Sequence, residues 1–129
     1  MIYRPMSHHV LVVDDDPDIR AAMIEVLEES GHQATGAANG NEALVQLRAN
    51  PEHPCLILLD LMMPVMDGRE FREQQMLDPA LSPIPVIVIS AFRDVEQTAA
   101  QMKVAAHVKK PVRLSDLVEL VERYCLRTS

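Results

Sequence analysis

The chain contains no Trp, and aromatic residues make up only 3% of it. Stacking platforms for bases or sugars are therefore not expected, and the core has to be aliphatic, built from Val, Leu, Ile, Ala and eight Met. Long apolar runs are also missing. The longest, such as Leu56 to Leu59 and Val86 to Ile89, fall far short of the roughly 20 residues that span a bilayer. Basic residues form no cluster larger than Lys109-Lys110, and 12 of them stand against 19 acids for a net charge of −7. Binding driven by a phosphate backbone is thus disfavoured, and neither nucleic acid nor membrane is expected as a direct partner. Cysteine is scarce: Cys55 and Cys125 lie far apart in apolar surroundings without CxxC or Cys/His spacing. They read as buried thiols of a cytoplasmic protein rather than as a disulfide. No signal peptide opens the chain, because Met1 to His9 is mixed and polar.

What is present fits one folding unit. A length of 129 residues, 48% of them apolar and 24% charged, matches a single soluble globular domain with a sizeable core. Residues 1–8 read as a flexible lead-in, 9–125 as the domain and 126–129 as a tail. Val10 to Val13 is β-branched, continuous and bounded by acids, as in a strand buried on both faces. Asp16-Pro17 then supplies an N-cap and a first-turn proline for a helix carrying Ile19, Met23, Val26 and Leu27, which Gly31 ends.

The alternation continues. Gln33 to Ala37 is a weaker strand, and Asn39 to Glu42 resembles a capping box before a helix with Ala43, Leu44 and Leu47 inward. Cys55 to Leu59 is a third strand stopping at Asp60, and Asp67 to Glu70 opens a helix around Phe71 that closes at Asp78-Pro79. Pro85 to Ile89 is a fourth strand ending at Ser90. Asp94 to Lys103 is a helix with a thin apolar stripe, Ala106 to Lys109 is a short fifth strand, and Leu114, Leu117, Val118 and Val121 mark the last helix. Five strands alternating with five helices predict an α/β fold: an open parallel sheet with helices on both faces. Ligands in such sheets gather beyond the carboxyl ends of the strands, where Asp14-Asp15, Asp60, Ser90 and Lys110 fall.

Three converging carboxylates repel, and a divalent cation removes the conflict. An oxygen-only set suits a hard ion, and Mg²⁺ fits best because it accepts one or two carboxylates, keeps waters and takes a phosphate oxygen. Mn²⁺ is the possible substitute. A carboxylate can also attack phosphorus to give an acyl phosphate, with the metal, a Lys ammonium and a hydroxyl neutralising the transferring group.

In order, Val13-Asp14-Asp15, Leu59-Asp60 with Met63-Pro64 and Asp67-Gly68 behind it, Ser90-Ala91 and Lys110-Pro111 resemble the receiver domain of two-component response regulators. The resemblance covers about residues 9–125. It implies a flavodoxin-like (βα)5 fold with strand order 2-1-3-4-5. It also implies that Asp60 accepts a phosphoryl group from a sensor histidine kinase or a histidine phosphotransfer protein. Asp15, Asp60 and the backbone carbonyl of Met62 would ligate Mg²⁺, with Asp14 acting through water. Lys110 would pair with the phosphoryl group, its peptide bond to Pro111 would be cis as is common in the family, and Ser90 would turn inward as the switch. The responding face would be that of the fourth helix, fifth strand and fifth helix, read by a downstream effector protein or domain.

Two departures from the pattern stand out. His107 occupies the position of the switch aromatic, so coupling there is expected to be weaker or pH-sensitive. Met62 and Phe92 are apolar where fast-hydrolysing relatives carry polar groups, which predicts a shielded, long-lived phosphoryl group. Ala105-Ala106 replaces the acids that support dimerisation in winged-helix regulators, so a monomer or a weak phosphorylation-dependent dimer is expected. His8, His9, His32 and His53 lack partners at ligand spacing and read as surface residues. A haloacid-dehalogenase-type phosphatase would need an Asp at Met62, which leaves the phosphorylation-independent pseudo-receiver as the main alternative. The residues leave open whether the chain is a stand-alone regulator or a fragment.

Overall fold

The computed structural model describes residues 9–63, 65–91 and 93–125. The lead-in (1–8), the tail (126–129), Pro64 and Phe92 lie outside the described residues. The continuous aliphatic stretches become the centre of the sheet: β1 (His9–Val13), β3 (Leu56–Leu59) and β4 (Val86–Ser90). β2 (Gln33–Ala37) and β5 (Ala106–Lys109) form its edges. All pairs are parallel and the order is β2-β1-β3-β4-β5, as the resemblance implied.

Side chains alternate across this sheet and so build two cores. Leu11, Val13, Ile57, Leu59, Val86 and Val88 face α2 (Gly40–Ala49), α3 (Gly68–Leu77) and the start of α4 (Val95–Met102), packing with Leu44, Leu47, Phe71 and Val95. Val10, Val12, Leu56, Leu58, Ile87 and Ile89 face α1 (Pro17–Glu29) and α5 (Leu114–Cys125), packing with Met23, Leu27, Leu117 and Val121. None of the described helices is long and apolar enough to cross a membrane.

The helix starts follow local chemistry. Asp16 accepts hydrogen bonds from the N–H groups of Asp18 and Ile19 at the start of α1. The full capping box opens α3, where Asp67 and Glu70 bond reciprocally. At α2, Asn39 accepts from the Glu42 N–H, but the Glu42 carboxylate reaches one residue further back, to the Ala38 N–H at 3.0 Å.

Three expectations need correction. Cys55 and Cys125 form a disulfide with a Cα–Cα separation of 5.4 Å, because α5 crosses back over the central strands and brings its last residue to the entrance of β3. His32 is buried rather than on the surface, since the turn before β2 tucks it under α5 with Nε2 3.9 Å from a Glu122 carboxylate oxygen. Leu114, placed on the inner stripe of the last helix, is 40% exposed, because it is the first residue of α5 and the buried stripe begins one turn later at Leu117.

Candidate functional site

The site forms where β1 and β3 end side by side. Val13 pairs with Leu59, so the residues that follow them, Asp14 and Asp60, emerge at the same level. The Asp60 N–H donates to the Val13 carbonyl at 2.9 Å, and the Asp14 N–H donates to the Ala37 carbonyl of β2 at 3.1 Å. Asp14 and Asp60 are therefore fixed by the sheet's own ladder. One carboxylate oxygen from each of Asp14, Asp15 and Asp60 lies within 4.8 Å of the others. Asp14 and Asp60 are buried, whereas Asp15 is exposed and opens the cluster to solvent.

Lys110 reaches this cluster from beyond β5. Its Nζ donates to Asp14 Oδ2 at 2.9 Å and lies 3.5 Å from Asp60 Oδ2. The Lys110 N–H donates to the Ser90 carbonyl at 2.9 Å, and the Lys110-Pro111 peptide bond is cis. Burial pushes the Asp60 carboxyl above the ordinary carboxylate range. Asp14 adds to that shift, while Lys110 and the Met62 N–H, which donates to Asp60 Oδ1 at 3.3 Å, oppose it. Burial alone would lower the Lys110 ammonium. The hydrogen bond to Asp14 and the charges of Asp60 and Asp14 outweigh that and hold it above its usual value.

Supporting contacts define the frame. Asp14 Oδ1 accepts from the Asp16 N–H at 2.9 Å, and Arg20 Nη1 donates to the Asp14 carbonyl at 2.6 Å. The sequence spacing gives no hint of Arg20, which lies on α1. Gly68 has a steric role: a Cβ there would sit 2.8 Å from the Asp60 carbonyl and 2.9 Å from Leu61 Cα. In the loop between β3 and α3, Val65 adopts φ 69°, a left-handed conformation uncommon for a β-branched residue, and its side chain is exposed.

Of the residues singled out from sequence, Asp14, Asp15, Asp60 and Lys110 converge. Ser90 is fully buried at the end of β4, paired across the sheet with Lys109. His107 does not join them. It pairs with Val88, two positions before the Ser90–Lys109 pair, and its side chain is exposed at the sheet edge. Met62 keeps its side chain mostly in solvent, at 61% exposure, so burial does not support a shield from that side.

The donor set consists of carboxylate oxygens with neither sulfur nor nitrogen, crowded enough to repel one another, and it fits a small hard dication. With the Lys ammonium opposite, the arrangement can hold a tetrahedral anion against one carboxylate.

Comparison with known proteins identifies the family. Residues 10–122 match the response regulator receiver domain family. The chain is 32% identical over 122 residues to sporulation initiation phosphotransferase F of Bacillus subtilis, covering 92% of this chain and 94% of that protein. It is 30% identical over 121 residues to the polar-differentiation response regulator DivK of Brucella ovis, covering 92% and 97%. Among solved structures, a response regulator receiver protein from Pseudomonas putida superposes with a TM-score of 0.83 at 31% identity, covering 95% of this chain and 99% of that one. A family match over residues 10–122, a relative 32% identical and matched over 94% of its own length, and a shared fold place the chain in the response regulator receiver domain family.

Proposed function

We propose that the chain is a phosphoacceptor switch in which Asp60 takes a phosphoryl group from a phosphohistidine of a sensor kinase or phosphotransfer protein. The observation that carries this is the convergence of Asp14, Asp15 and Lys110 on one buried carboxylate at the carboxyl edge of the sheet. The similarity to a sporulation phosphotransferase supports a phosphorelay setting in the compartment where the kinase presents its histidine. The chain catalyses only its own phosphorylation and dephosphorylation.

In the transfer, an Asp60 oxygen attacks phosphorus as the bond from phosphorus to the donor imidazole breaks, and the imidazole leaves with the electron pair. Attack needs the ionised carboxylate, so Lys110 and the Met62 N–H matter because they oppose the effect of burial on Asp60. Asp15, Asp60 and the Met62 carbonyl would hold Mg²⁺, with Asp14 one water further out. Bound there, Mg²⁺ would neutralise the acids and the phosphoryl oxygens. Lys110 then has two partners to choose between, Asp14 and the new phosphoryl group, and its move toward the latter keeps the charge balanced.

The added charge also draws the Ser90 hydroxyl inward from the end of β4. The face of α4, β5 and α5 changes with it, and a downstream effector reads that face. His107, exposed on β5, takes part in that surface rather than in the chemistry. The assembly in this role is a monomer or a weak phosphorylation-dependent dimer.

Incubation with acetyl phosphate and Mg²⁺ followed by a phosphate-affinity gel tests the role. A shifted band in the wild type that is missing in Asp60→Ala is expected. No shift in the wild type would leave an inert binding module instead.

A further inference from the structure

α4 is held in an unusual way. At its start, Asp94 makes no side-chain capping bond, and its last turn carries no basic residue. Among the described residues, the side-chain hydrogen bonds that reach α4 from another element come from two arginines of α3. Arg69 Nη2 donates to Thr98 Oγ1 at 3.3 Å. Arg72 Nε donates to the Met102 carbonyl at 3.1 Å, and its Nη2 donates to the Lys103 carbonyl at 2.8 Å. These two carbonyls belong to the terminal set that a helix leaves without internal partners, and a cation there also complements the helix dipole.

The clamp is itself anchored. Arg72 Nη1 donates to Gln75 Oε1 at 2.7 Å, and the fully buried Gln75 donates through Nε2 to the carbonyls of Leu81 and Ile84 at 3.0 and 2.9 Å. One guanidinium thus joins the end of α4 to the segment that leads into β4. It also steadies Lys103, whose φ of 56° is the left-handed cap conformation that glycine usually supplies. The opposite end of α4 rests on Val95 through apolar packing, which has no preferred direction, and on the single, longer bond from Arg69 to Thr98 at 3.3 Å.

We propose that Arg72 is a positioning residue that pins the C-terminal end of α4 to α3, so that a change at Ser90 swings the N-terminal end of α4 about that pin. The pivot rests on the phosphoacceptor role proposed above, whereas the pin does not.

Hydrogen exchange read by peptide on the whole chain separates the two. Without phosphodonor, Arg72→Ala should speed exchange of residues 100–105 by on the order of ten-fold and leave β1 and β3 unchanged. Arg72→Lys, which keeps the charge and stem but cannot serve Gln75 and both carbonyls together, should fall between the two. With acetyl phosphate and Mg²⁺, the wild type should change at residues 95–98 and hold at 101–104, and Arg72→Ala should change at both ends. Unaltered exchange of 100–105 in Arg72→Ala, or faster exchange everywhere including β1, overturns the pin. Equal responses at both ends of α4 in the phosphorylated wild type overturn the pivot. Absence of any phosphorylated protein instead defeats the phosphoacceptor role, and the pin is then judged from the exchange without phosphodonor.

Discussion

The half of the sheet made by β1 and β3 and the margin made by α4 and β5 are built on opposite principles. β3 is buried at every position and has a strand on each side, whereas β5 alternates half-buried and exposed residues and has only one neighbour. The first three helices begin with side-chain caps at Asp16, Asn39 and Asp67, and α4 has none. The acids therefore follow strands that are paired on both sides, and the surface proposed to respond is assembled from the one-sided margin of the sheet and a helix without a side-chain N-cap. A phosphoacceptor needs ligand oxygens placed to a fraction of an ångström, and a switch needs an element whose alternative position costs little.

Truncation in the two regions should expose the contrast most strongly. Ile57→Ala in β3 removes a fully buried side chain and is expected to cost about 4 kcal/mol, while Val108→Ala in β5 should cost about 1 kcal/mol. Chemical denaturation of both variants measures the difference, and equal losses would erase the distinction. The disulfide comes next. It closes a loop across a sequence separation of 70, which corresponds to about 4 kcal/mol of restricted unfolded chain, so reduction or Cys55→Ser should lower the unfolding midpoint. Equal midpoints with and without reductant would show that the bond contributes nothing in solution.

The smallest effect concerns Asp60 itself. Its carboxyl is held above the ordinary range, so the stability linked to this group is fully present below the unfolded value and is lost as pH rises through the folded one. At neutral pH in chelator the ionised group is a burden. Asp60→Asn should raise the thermal midpoint by a few degrees there, since Lys110 keeps Asp14 at 2.9 Å, and the gain should shrink on acidification. A midpoint that falls at neutral pH would mean that the ion pair with Lys110 dominates over burial. It would also place Asp60 among the structural members of the rigid half.

Much of this was legible in the residues. The aliphatic runs ending in Asp14, Asp60 and Ser90 gave the strands and the edge at which they deliver polar groups, and Asp16 and Asp67 marked helix starts by short-range hydrogen bonding. The Cys55–Cys125 bond was not legible, because neither cysteine's surroundings record which helix will cross which strand. The same holds for His32, which is polar by type and buried only because α5 covers it. Arg20 and Arg72 look like ordinary surface arginines of α1 and α3 until the folded chain presents backbone carbonyls to them.

By itself, the order of residues determined which segments are strands and helices and which polar groups follow each strand, since periodicity and capping act over a few residues. The tertiary structure alone decided that Lys110 favours Asp14 over Asp60, that His107 faces outward, and that the carbonyls closing α4 are held by Arg72 of α3. Those outcomes depend on distances between elements far apart in the chain, which only the packing of two cores around one sheet can set.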